Sequence, residues 1–344
     1  METVLVTGGS GYIGGWCIVD LLKRGYAVRT TVRSLSKEAG LRAAIASALE
    51  GAINLDERFT VVGADLTADT GWDAAVAGCD YVMHVASPLA SSMPKTPDDL
   101  IIPARDGSMR VIKAATAAGV KRVVVTSSVA AAGPAPDAHD CVSDENVWTD
   151  LSKSNIDIYR QSKTLAERAI WSFMETYKGP MTVVTILPTA VLGPVLSPDN
   201  LGSVQIVSRL LSGQFPGIPR LGFNVVDVRD LADIHWRAMT VPEAAGKRFI
   251  ATGNFMWMSE ISKIMREKLG ARARKVPSIP LPDFVLHIAA FFDPVLKFVT
   301  PGLGRKHEFT AARAEKILGW KSRSTANTVI DCAESLFDKK AVVV

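Results

Sequence analysis

The feature that most constrains this chain is a glycine-rich turn at residues 8–14, which follows an apolar run at residues 1–7. A helical pattern comes next, with Ile18, Leu21 and Leu22 on one face. Strand, glycine-rich turn and helix in this order are typical of a dinucleotide-binding site. The glycines allow a tight turn and a close approach of a pyrophosphate, while the helix N-terminus attracts an anion. A plain turn would show the same glycines, so the rest of the chain decides between the two.

The composition is that of an ordinary soluble globular protein, with 48% hydrophobic and 22% charged residues among 344. The net charge of +4 comes from scattered Lys and Arg residues, so we expect no nucleic acid and no membrane among the partners. The four cysteines have no metal-ligand spacing, and no signal peptide precedes the first strand. We therefore expect no metal, and reduced thiols in a cytoplasmic protein.

Apolar, β-branched runs alternate with helical patterns along the first half of the chain. The run at residues 81–87 is nearly continuous, as expected of a central strand in a parallel sheet. Regular alternation of this kind predicts right-handed crossovers and an α/β fold with a Rossmann-type doubly wound parallel sheet. The strands expected in this sheet are residues 1–7, 27–32, 59–62, 81–87, 122–126 and 182–187.

The order of these patterns divides the chain into two parts. We expect residues 1–190 to form the dinucleotide-binding domain, and residues 224–250 to return to this domain with a short strand at 225–228 and a helix. Residues 191–223 and 251–344, whose loops are punctuated by proline, are expected to form a smaller substrate-binding lobe. Ligands of doubly wound sheets bind beyond the carboxyl ends of the strands, where this lobe would cover them.

The second strand ends at Arg33, nineteen residues beyond Gly14, where this kind of fold meets the adenosine ribose. A site for NAD usually has an acidic residue there, whereas here Lys37 lies close by and no acid comes before Glu38. Guanidinium and ammonium groups suit a 2′-phosphate. The pattern favours NADP(H), although a solvated pair of surface cations would also explain it.

A helix that begins near Tyr159 carries Tyr159 and Lys163 on one face, because residues four apart are neighbours on a helix. A phenol is a weak acid at neutral pH, and a neighbouring ammonium stabilises its phenolate. Serine residues lie at the carboxyl ends of two expected strands: Ser87 at the end of the fourth, and Ser127 and Ser128 after the fifth. His84 lies inside a buried strand, and we interpret it as a core histidine rather than a catalytic base.

Together these motifs resemble those of the extended short-chain dehydrogenases/reductases, most of all the dihydroflavonol 4-reductase-like branch with its aldehyde and ketone reductases. Residues 7–14 match the TGxxGxxG of that family, residues 126–128 carry its catalytic serine, and Tyr159 with Lys163 match its YxxxK pair. The resemblance implies that Ser128 holds the substrate carbonyl, with Ser127 as the alternative serine. It also implies that Tyr159 donates a proton and that Lys163 binds the nicotinamide ribose and tunes Tyr159.

Arg33 and Lys37 are expected to bind the cofactor because of their charge, and the resemblance to the family implies the other contacts. The residues expected to bind NADP(H) are Gly8, Ser10, Gly11, Tyr12, Ile13, Gly14, Arg33, Lys37, Asp65, Leu66, Val85, Ala86, Ser87, Tyr159, Lys163, Pro188, Val191 and Ser203.

The expected function is an NADPH-dependent carbonyl reductase with a small-molecule carbonyl substrate, working as a monomer or homodimer. Plant flavonoid reductases place an Asn five residues after the catalytic serine to meet the flavonoid ring, and this chain has Gly133 there. An aldehyde or a bulky apolar ketone is therefore favoured over a dihydroflavonol. Three alternatives remain: an epimerase or dehydratase that retains NAD, a dihydroflavonol reductase proper, and a catalytically silent NADP-sensing protein. The intact Ser, Tyr and Lys argue against the last of these.

Overall fold

The computed structural model describes residues 1–88, 96–153, 156–199, 202–291 and 300–342. The strands in these ranges are β1 (Thr3–Thr7), β2 (Ala27–Val32), β3 (Phe59–Gly63), β4 (Tyr81–His84), β5 (Arg122–Thr126), β6 (Cys141–Ser143), β7 (Thr182–Pro188), β8 (Ala190–Leu192), β9 (Gly222–Asp227), β10 (Arg248–Ala251), β11 (Phe255–Trp257) and β12 (His307–Phe309). The helices are α1 (Tyr12–Lys23), α2 (Glu38–Ala48), α3 (Leu55–Arg58), α4 (Trp72–Val76), α5 (Asp98–Ala117), α6 (Ile158–Thr176), α7 (Gln205–Leu211), α8 (Val228–Thr240), α9 (Met258–Leu269), α10 (Asp283–Ala289), α11 (Ala312–Leu318) and α12 (Thr325–Asp338).

Strands β10, β7, β5, β4, β1, β2 and β3 lie side by side in that order in a seven-stranded sheet, and neighbouring strands are parallel. The chain adds β2 and β3 on one side of β1 and then crosses to β4 on the other side. This reversal opens a crevice at the carboxyl ends of β1 and β4. The doubly wound parallel sheet predicted from the sequence is therefore confirmed.

Strand β4 ends at His84, earlier than the apolar run at residues 81–87 predicts. The backbone N–H groups of Val85 and Ala86 donate to the Thr7 hydroxyl, at 3.1 and 3.0 Å, and so leave the ladder. The chain consequently turns away from the sheet beside the glycine-rich turn, at the edge where the crevice opens.

The short strand expected at residues 225–228 is present, and it lies outside the seven-stranded sheet. That strand, β9, pairs with β8 in parallel and with β11 in antiparallel orientation, and the three form a separate sheet. Val225 packs in a second core with residues of α7, α9 and α12, whereas Val226 packs in the main core. Of the returning stretch, α8 packs on α1 and β10 pairs with β7. The division of the chain at residue 190 stays a prediction.

Helices cover both faces of the large sheet, which explains why its strands are apolar on both sides. Helices α1 and α8 contribute Ile18 and Leu231 to the core on one face. Helices α5 and α6 pack along each other on the opposite face and bury Val111 and Ile170. Within the described ranges, no helix has the length and apolar character needed to cross a membrane.

Candidate active site

The glycine-rich turn has no room for a side chain at several of its positions, among them Gly8 and Gly14. Gly8 has a φ of +73°, a conformation that favours glycine, and a Cβ there would lie 3.0 Å from Ala86 Cα. A Cβ on Gly14 would collide with the Gly8 carbonyl oxygen. Gly11 precedes α1, and it supplies no side-chain cap to the first turn of that helix. The helix therefore presents backbone N–H groups and the positive end of its dipole to the crevice.

A cavity of about 520 Å³ lies in front of this turn, within the size range of small-molecule sites. Its wall has three parts: the turn itself, the start of α2, and the loop after Pro194. The lining residues are Gly9, Ser10, Gly11, Tyr12, Gly15, Ser36, Lys37, Gly40, Leu41, Ala44, Val195, Leu196, Ser197 and Asp199. Four of the residues predicted to bind the cofactor, Ser10, Gly11, Tyr12 and Lys37, are among them.

The third part of this wall, the loop at residues 195–199, belongs to the lobe that the sequence predicts over the ligand, but none of its residues is among the predicted cofactor contacts. Tyr12 Oη donates to the Gly193 carbonyl at 2.9 Å, and Trp16 Nε1 donates to the Pro194 carbonyl at 2.8 Å. Both aromatic side chains stand at the start of α1, so they hold the loop against the helix that begins at the turn. Two hydrogen-bonding aromatic residues one helical turn apart are the signal in the sequence that could have located this contact.

Two basic residues, Arg33 and Lys37, are exposed at the carboxyl end of β2. Lys37 lines the cavity, and Arg33 directly follows the strand. Asp65 stands opposite at the end of β3, where hydrogen bonds from the Thr67 backbone and hydroxyl, both 2.8 Å long, lower the pKa of its carboxyl. The charge of Arg33 lowers the same pKa further. This end of the cavity therefore carries exposed positive charge.

The remaining predicted cofactor contacts are spread along the carboxyl edge of the sheet and the neighbouring interior. Pro188 ends β7, Val191 is buried in β8, and the Leu66 side chain packs on α5. Ile13 packs against the main core. Ser203 lies in a short 3-10 turn beside β8 and does not line the cavity described above. Among the residues that the structure describes, no three His, Cys, Asp or Glu side chains come together as metal ligands.

Tyr159, Ser128 and Lys163 come together at the carboxyl end of the sheet. Tyr159 Oη lies 3.5 Å from Ser128 Oγ, and the Lys163 ammonium lies 5.8 Å from the centre of the Tyr159 ring. Lys163 Nζ also donates to Ser87 Oγ at 3.0 Å, which ties α6 to the segment after β4. Tyr159 is 39% exposed, so its side chain is accessible to a molecule in solution. The arrangement provides two hydroxyl groups and a cation at one point.

The local sequence explains why Tyr159 stands in the first turn of α6. Asp157 is the N-cap, and its carboxylate accepts a hydrogen bond from the Arg160 backbone N–H at 2.7 Å. The helix therefore begins at Ile158, immediately before the tyrosine. Lys163 follows one turn later on the same face, as its spacing in the sequence predicts.

The two serines that follow β5 have different partners. Ser127 Oγ donates to Glu167 Oε2 at 2.6 Å in the protein interior, so its hydroxyl proton is held by that carboxylate. Ser128 Oγ accepts a hydrogen bond from the Ala130 backbone N–H at 3.1 Å and one from Tyr159. Ser128 is thus the serine whose hydroxyl faces Tyr159, and the alternative placed on Ser127 loses its geometric basis.

His84 is buried, and its hydrogen bonds define one neutral tautomer. Thr7 Oγ1 already accepts two backbone N–H groups, so its own proton goes to His84 Nδ1 at 2.9 Å. Ser108 Oγ donates to the Ala104 carbonyl at 2.8 Å, so it accepts the Nε2 proton of His84 at 3.2 Å. These contacts support the interpretation of His84 as a core histidine that braces the glycine-rich turn.

Stability should fall as the pH decreases below about 6.5. Burial lowers the pKa of His84 from 6.5 to about 3 and the pKa of His235 from 6.5 to about 4. The unfolded chain therefore binds these protons at a higher pH than the folded protein, and each histidine removes up to about 1.4 kcal/mol per pH unit in this window. Urea unfolding at about pH 7 and about pH 5, on the wild type and on His235→Asn, measures the effect.

The His235→Asn protein should lose less stability between these two conditions than the wild type. The half-buried Asp20 and the buried Glu145, whose carboxyl pKa values are raised by desolvation, titrate in the opposite sense but equally in both proteins. Equal losses in the two proteins would contradict a neutral, buried His235.

Comparisons with known proteins give concordant results. The chain matches the model of the NAD dependent epimerase/dehydratase family over residues 4–251. It is 34% identical to cinnamoyl-CoA reductase 1 of Arabidopsis thaliana over 343 residues, which covers 98% of this chain and 90% of that protein. It is 32% identical to tetraketide alpha-pyrone reductase 1 of the same plant over 344 residues, with coverages of 98% and 95%. The structure of yeast methylglyoxal/isovaleraldehyde reductase complexed with NADPH has the same fold, with a TM-score of 0.81, 24% identity and coverages of 99% and 100%.

Proposed function

This chain belongs to the NAD dependent epimerase/dehydratase family of extended short-chain dehydrogenases/reductases, and we propose that it is an NADPH-dependent carbonyl reductase acting on an aldehyde or ketone. The observation that carries the proposal is the 3.5 Å separation of Tyr159 Oη and Ser128 Oγ, with the Lys163 ammonium beside the ring. A proton donor, a second hydroxyl and a cation at one point are what carbonyl reduction requires of a protein. Family membership confirms the resemblance noted from the motifs.

The residues around the cavity fit a phosphorylated dinucleotide. The turn packs tightly at Gly8 and Gly14, and a pyrophosphate can approach the uncapped backbone N–H groups at the start of α1, which follows Gly11. Arg33 and Lys37 supply the positive charge that a 2′-phosphate requires. NADPH supplies the hydride when it is bound, and the protein supplies position and electrostatics.

In the proposed reaction the side chains handle the substrate oxygen and its proton. The carbonyl oxygen accepts hydrogen bonds from Ser128 and Tyr159, which fixes its orientation. Tyr159 transfers its proton to this oxygen as negative charge develops there, while Ser128 stabilises the same charge. Lys163, held by Ser87, keeps a positive charge beside the phenolate that remains.

Replacing Arg33 by Ala should raise the KM for NADPH by about 10–100-fold, because a hydrogen bond to a charged group contributes about 1.5–3 kcal/mol. The KM for NADH, which lacks the 2′-phosphate, should hardly change. Steady-state kinetics with both cofactors measures this, and Arg266→Ala, which removes an exposed arginine on α9, is the control. An unchanged KM for NADPH, or a wild type that prefers NADH, would refute the role given to Arg33.

The proposed substrate is an aldehyde or an apolar ketone rather than a dihydroflavonol. A Cβ at Gly133 would lie 3.2 Å from the Val129 carbonyl oxygen, 3.4 Å from Arg160 Nη1 and 3.6 Å from the Phe309 ring. An Asn side chain at this position would require its neighbours to move. A screen of NADPH oxidation with aldehydes, α-keto esters, aryl ketones, cinnamoyl-CoA and a dihydroflavonol tests the proposal, and oxidation with none of them would count against it.

An epimerase or dehydratase that retains NAD is the second candidate, because the matching family is named for those activities. Its chemistry would use the same Ser128, Tyr159 and Lys163. The exposed positive charge of Arg33 at the end of β2 disfavours it, because NAD has no 2′-phosphate. Purified protein that carries tightly bound NAD⁺ and shows no net oxidation of NADPH would favour this second function.

A further inference from the structure

Beneath the candidate active site lies a buried carboxylate, Glu167, which the proposed reaction does not use. It is 2% exposed, and both of its oxygens accept hydrogen bonds. Glu167 Oε1 accepts from Thr185 Oγ1 at 2.7 Å, from Arg248 Nε at 2.8 Å and from Trp171 Nε1 at 3.2 Å. Glu167 Oε2 accepts from Ser127 Oγ at 2.6 Å and from Arg248 Nη2 at 3.3 Å. The carboxylate thus joins α6 to the residue after β5, to the middle of β7 and to the start of β10.

The partner cation, Arg248, extends this network to the backbone around the site. Its guanidinium donates to the carbonyls of Glu145 and Val147, each at 2.9 Å, and to the carbonyl of Ala131 at 3.3 Å. It also lies 3.7 Å from the centre of the Trp148 ring. Ala131 belongs to the short turn directly after the serines, so the ion pair anchors both the catalytic helix and that turn.

Because Glu167 is a residue of α6, its ion pair with Arg248 restrains the orientation of this helix. Glu167 stands one turn after Lys163 and two turns after Tyr159, on the same face. Fixing its carboxylate therefore fixes the rotation of the helix about its axis. Any rotation that moved Glu167 would also move the Tyr159 hydroxyl.

The same carboxylate sets the direction of Ser128. The backbone at Ser128 is extended, with φ −164° and ψ 152°, and successive side chains of extended backbone point in opposite directions. Because Glu167 holds the Ser127 hydroxyl in the interior, the Ser128 hydroxyl is directed towards Tyr159.

The surrounding interior leaves the carboxylate little freedom to move. A cavity of about 20 Å³ borders Lys163, Ser127 and Glu167, and such a volume holds at most about one water molecule. In a closely packed interior, the displacement of one side chain also displaces the side chains that contact it. A change at Glu167 will consequently reach the two hydroxyl groups of the site.

We propose that Glu167 is a positioning residue that sets the separation of Tyr159 Oη and Ser128 Oγ through its bonds to Ser127 and Arg248. The inference rests on the proposed carbonyl reduction, because it assigns a role in that reaction. Glu167 itself does not touch the reacting atoms.

The test is Glu167→Gln, which keeps the shape of the side chain and removes its charge. The Gln carbonyl can still accept from Arg248, but its NH₂ group then faces Ser127, whose hydroxyl proton loses its acceptor. We expect kcat to fall by about 10–100-fold, because small displacements of reacting groups cost this much. The Kd for NADPH, from fluorescence titration, should stay unchanged. A crystal structure of the cofactor-free variant should show Tyr159 Oη and Ser128 Oγ further apart than the present 3.5 Å.

Asp230→Asn is the matched control, because it neutralises another largely buried carboxylate away from the site. Asp230 Oδ1 accepts from Arg323 at 2.7 Å, so its loss should lower the melting temperature without changing kcat. A Glu167→Gln enzyme with the kcat of the control, or with an unchanged distance between the two hydroxyls, would overturn the positioning role. A wild type that reduces no carbonyl compound would instead refute the proposed function.

Ser127→Ala decides the question if Glu167→Gln does not fold. It leaves the ion pair of Glu167 with Arg248 in place and removes only the bond to the serine. We expect a severalfold lower kcat with an unchanged Kd for NADPH. A kcat equal to that of the wild type would overturn the proposal.

Discussion

Tyr159→Phe is expected to lower kcat for carbonyl reduction by about 10²–10⁴-fold, the usual contribution of a positioned general acid. Phe keeps the ring and its packing and lacks only the hydroxyl that gives its proton to the substrate oxygen. Lys163 retains its 3.0 Å hydrogen bond to Ser87 and the rest of the cofactor contacts stay in place, so the Kd for NADPH should change less than about threefold, far less than kcat. The rate of NADPH oxidation gives kcat, and fluorescence titration gives Kd.

The control for this prediction is Tyr177→Phe, at the end of the same helix. Tyr177 stacks on Phe173, with 5.9 Å between the ring centres, and lies outside the site. Its variant should keep the wild-type kcat. A Tyr159→Phe enzyme that retains most of its turnover would refute the role of Tyr159 as proton donor.

Ser128→Ala is expected to lower kcat by about 10²–10³-fold, as the loss of one donor to a developing oxyanion does. The substrate oxygen would keep only Tyr159 as a partner and would be held less firmly. The glycine-rich turn is unaffected, so the Kd for NADPH should remain that of the wild type. Single-turnover kinetics with saturating NADPH measures the chemical step directly.

Ser127→Ala provides the matched comparison, since the two serines are adjacent and differ in their partners. The change at Ser127 should cost severalfold in kcat and the change at Ser128 far more. The reverse order would show that Ser127, not Ser128, meets the substrate.

Much of the fold could be predicted because its signals are local. The runs rich in β-branched residues at 27–32 and 122–126 coincide with β2 and β5, because such residues pack well on the pleated surface of a strand. The pairing of β9 could not be predicted in this way. Val225 and Val226 are equally apolar, yet they face different cores, and only the assembled lobe determines which sheet the strand joins.

The candidate site shows the same limit. The spacing of Tyr159 and Lys163 predicts a shared helix face because four residues make about one turn. The choice between Ser127 and Ser128 depends on Glu167, which is 40 residues further along the chain. The loop at residues 195–199 reaches the cavity through Tyr12, whose partner Gly193 is 181 residues away. Contacts over such separations follow from tertiary packing, which sequence patterns do not contain.

The bond between Tyr12 and Gly193 also has a consequence for folding energetics. The cavity in front of the glycine-rich turn has one wall from the start of the chain and another from the loop beyond β8. A dinucleotide that fills it would act as a reversible cross-link between these segments. At a concentration of 100 times its Kd, such a ligand adds about 2.7 kcal/mol to the free energy of unfolding. On the proposed function, the cellular supply of cofactor would then set part of this protein's resistance to unfolding and proteolysis.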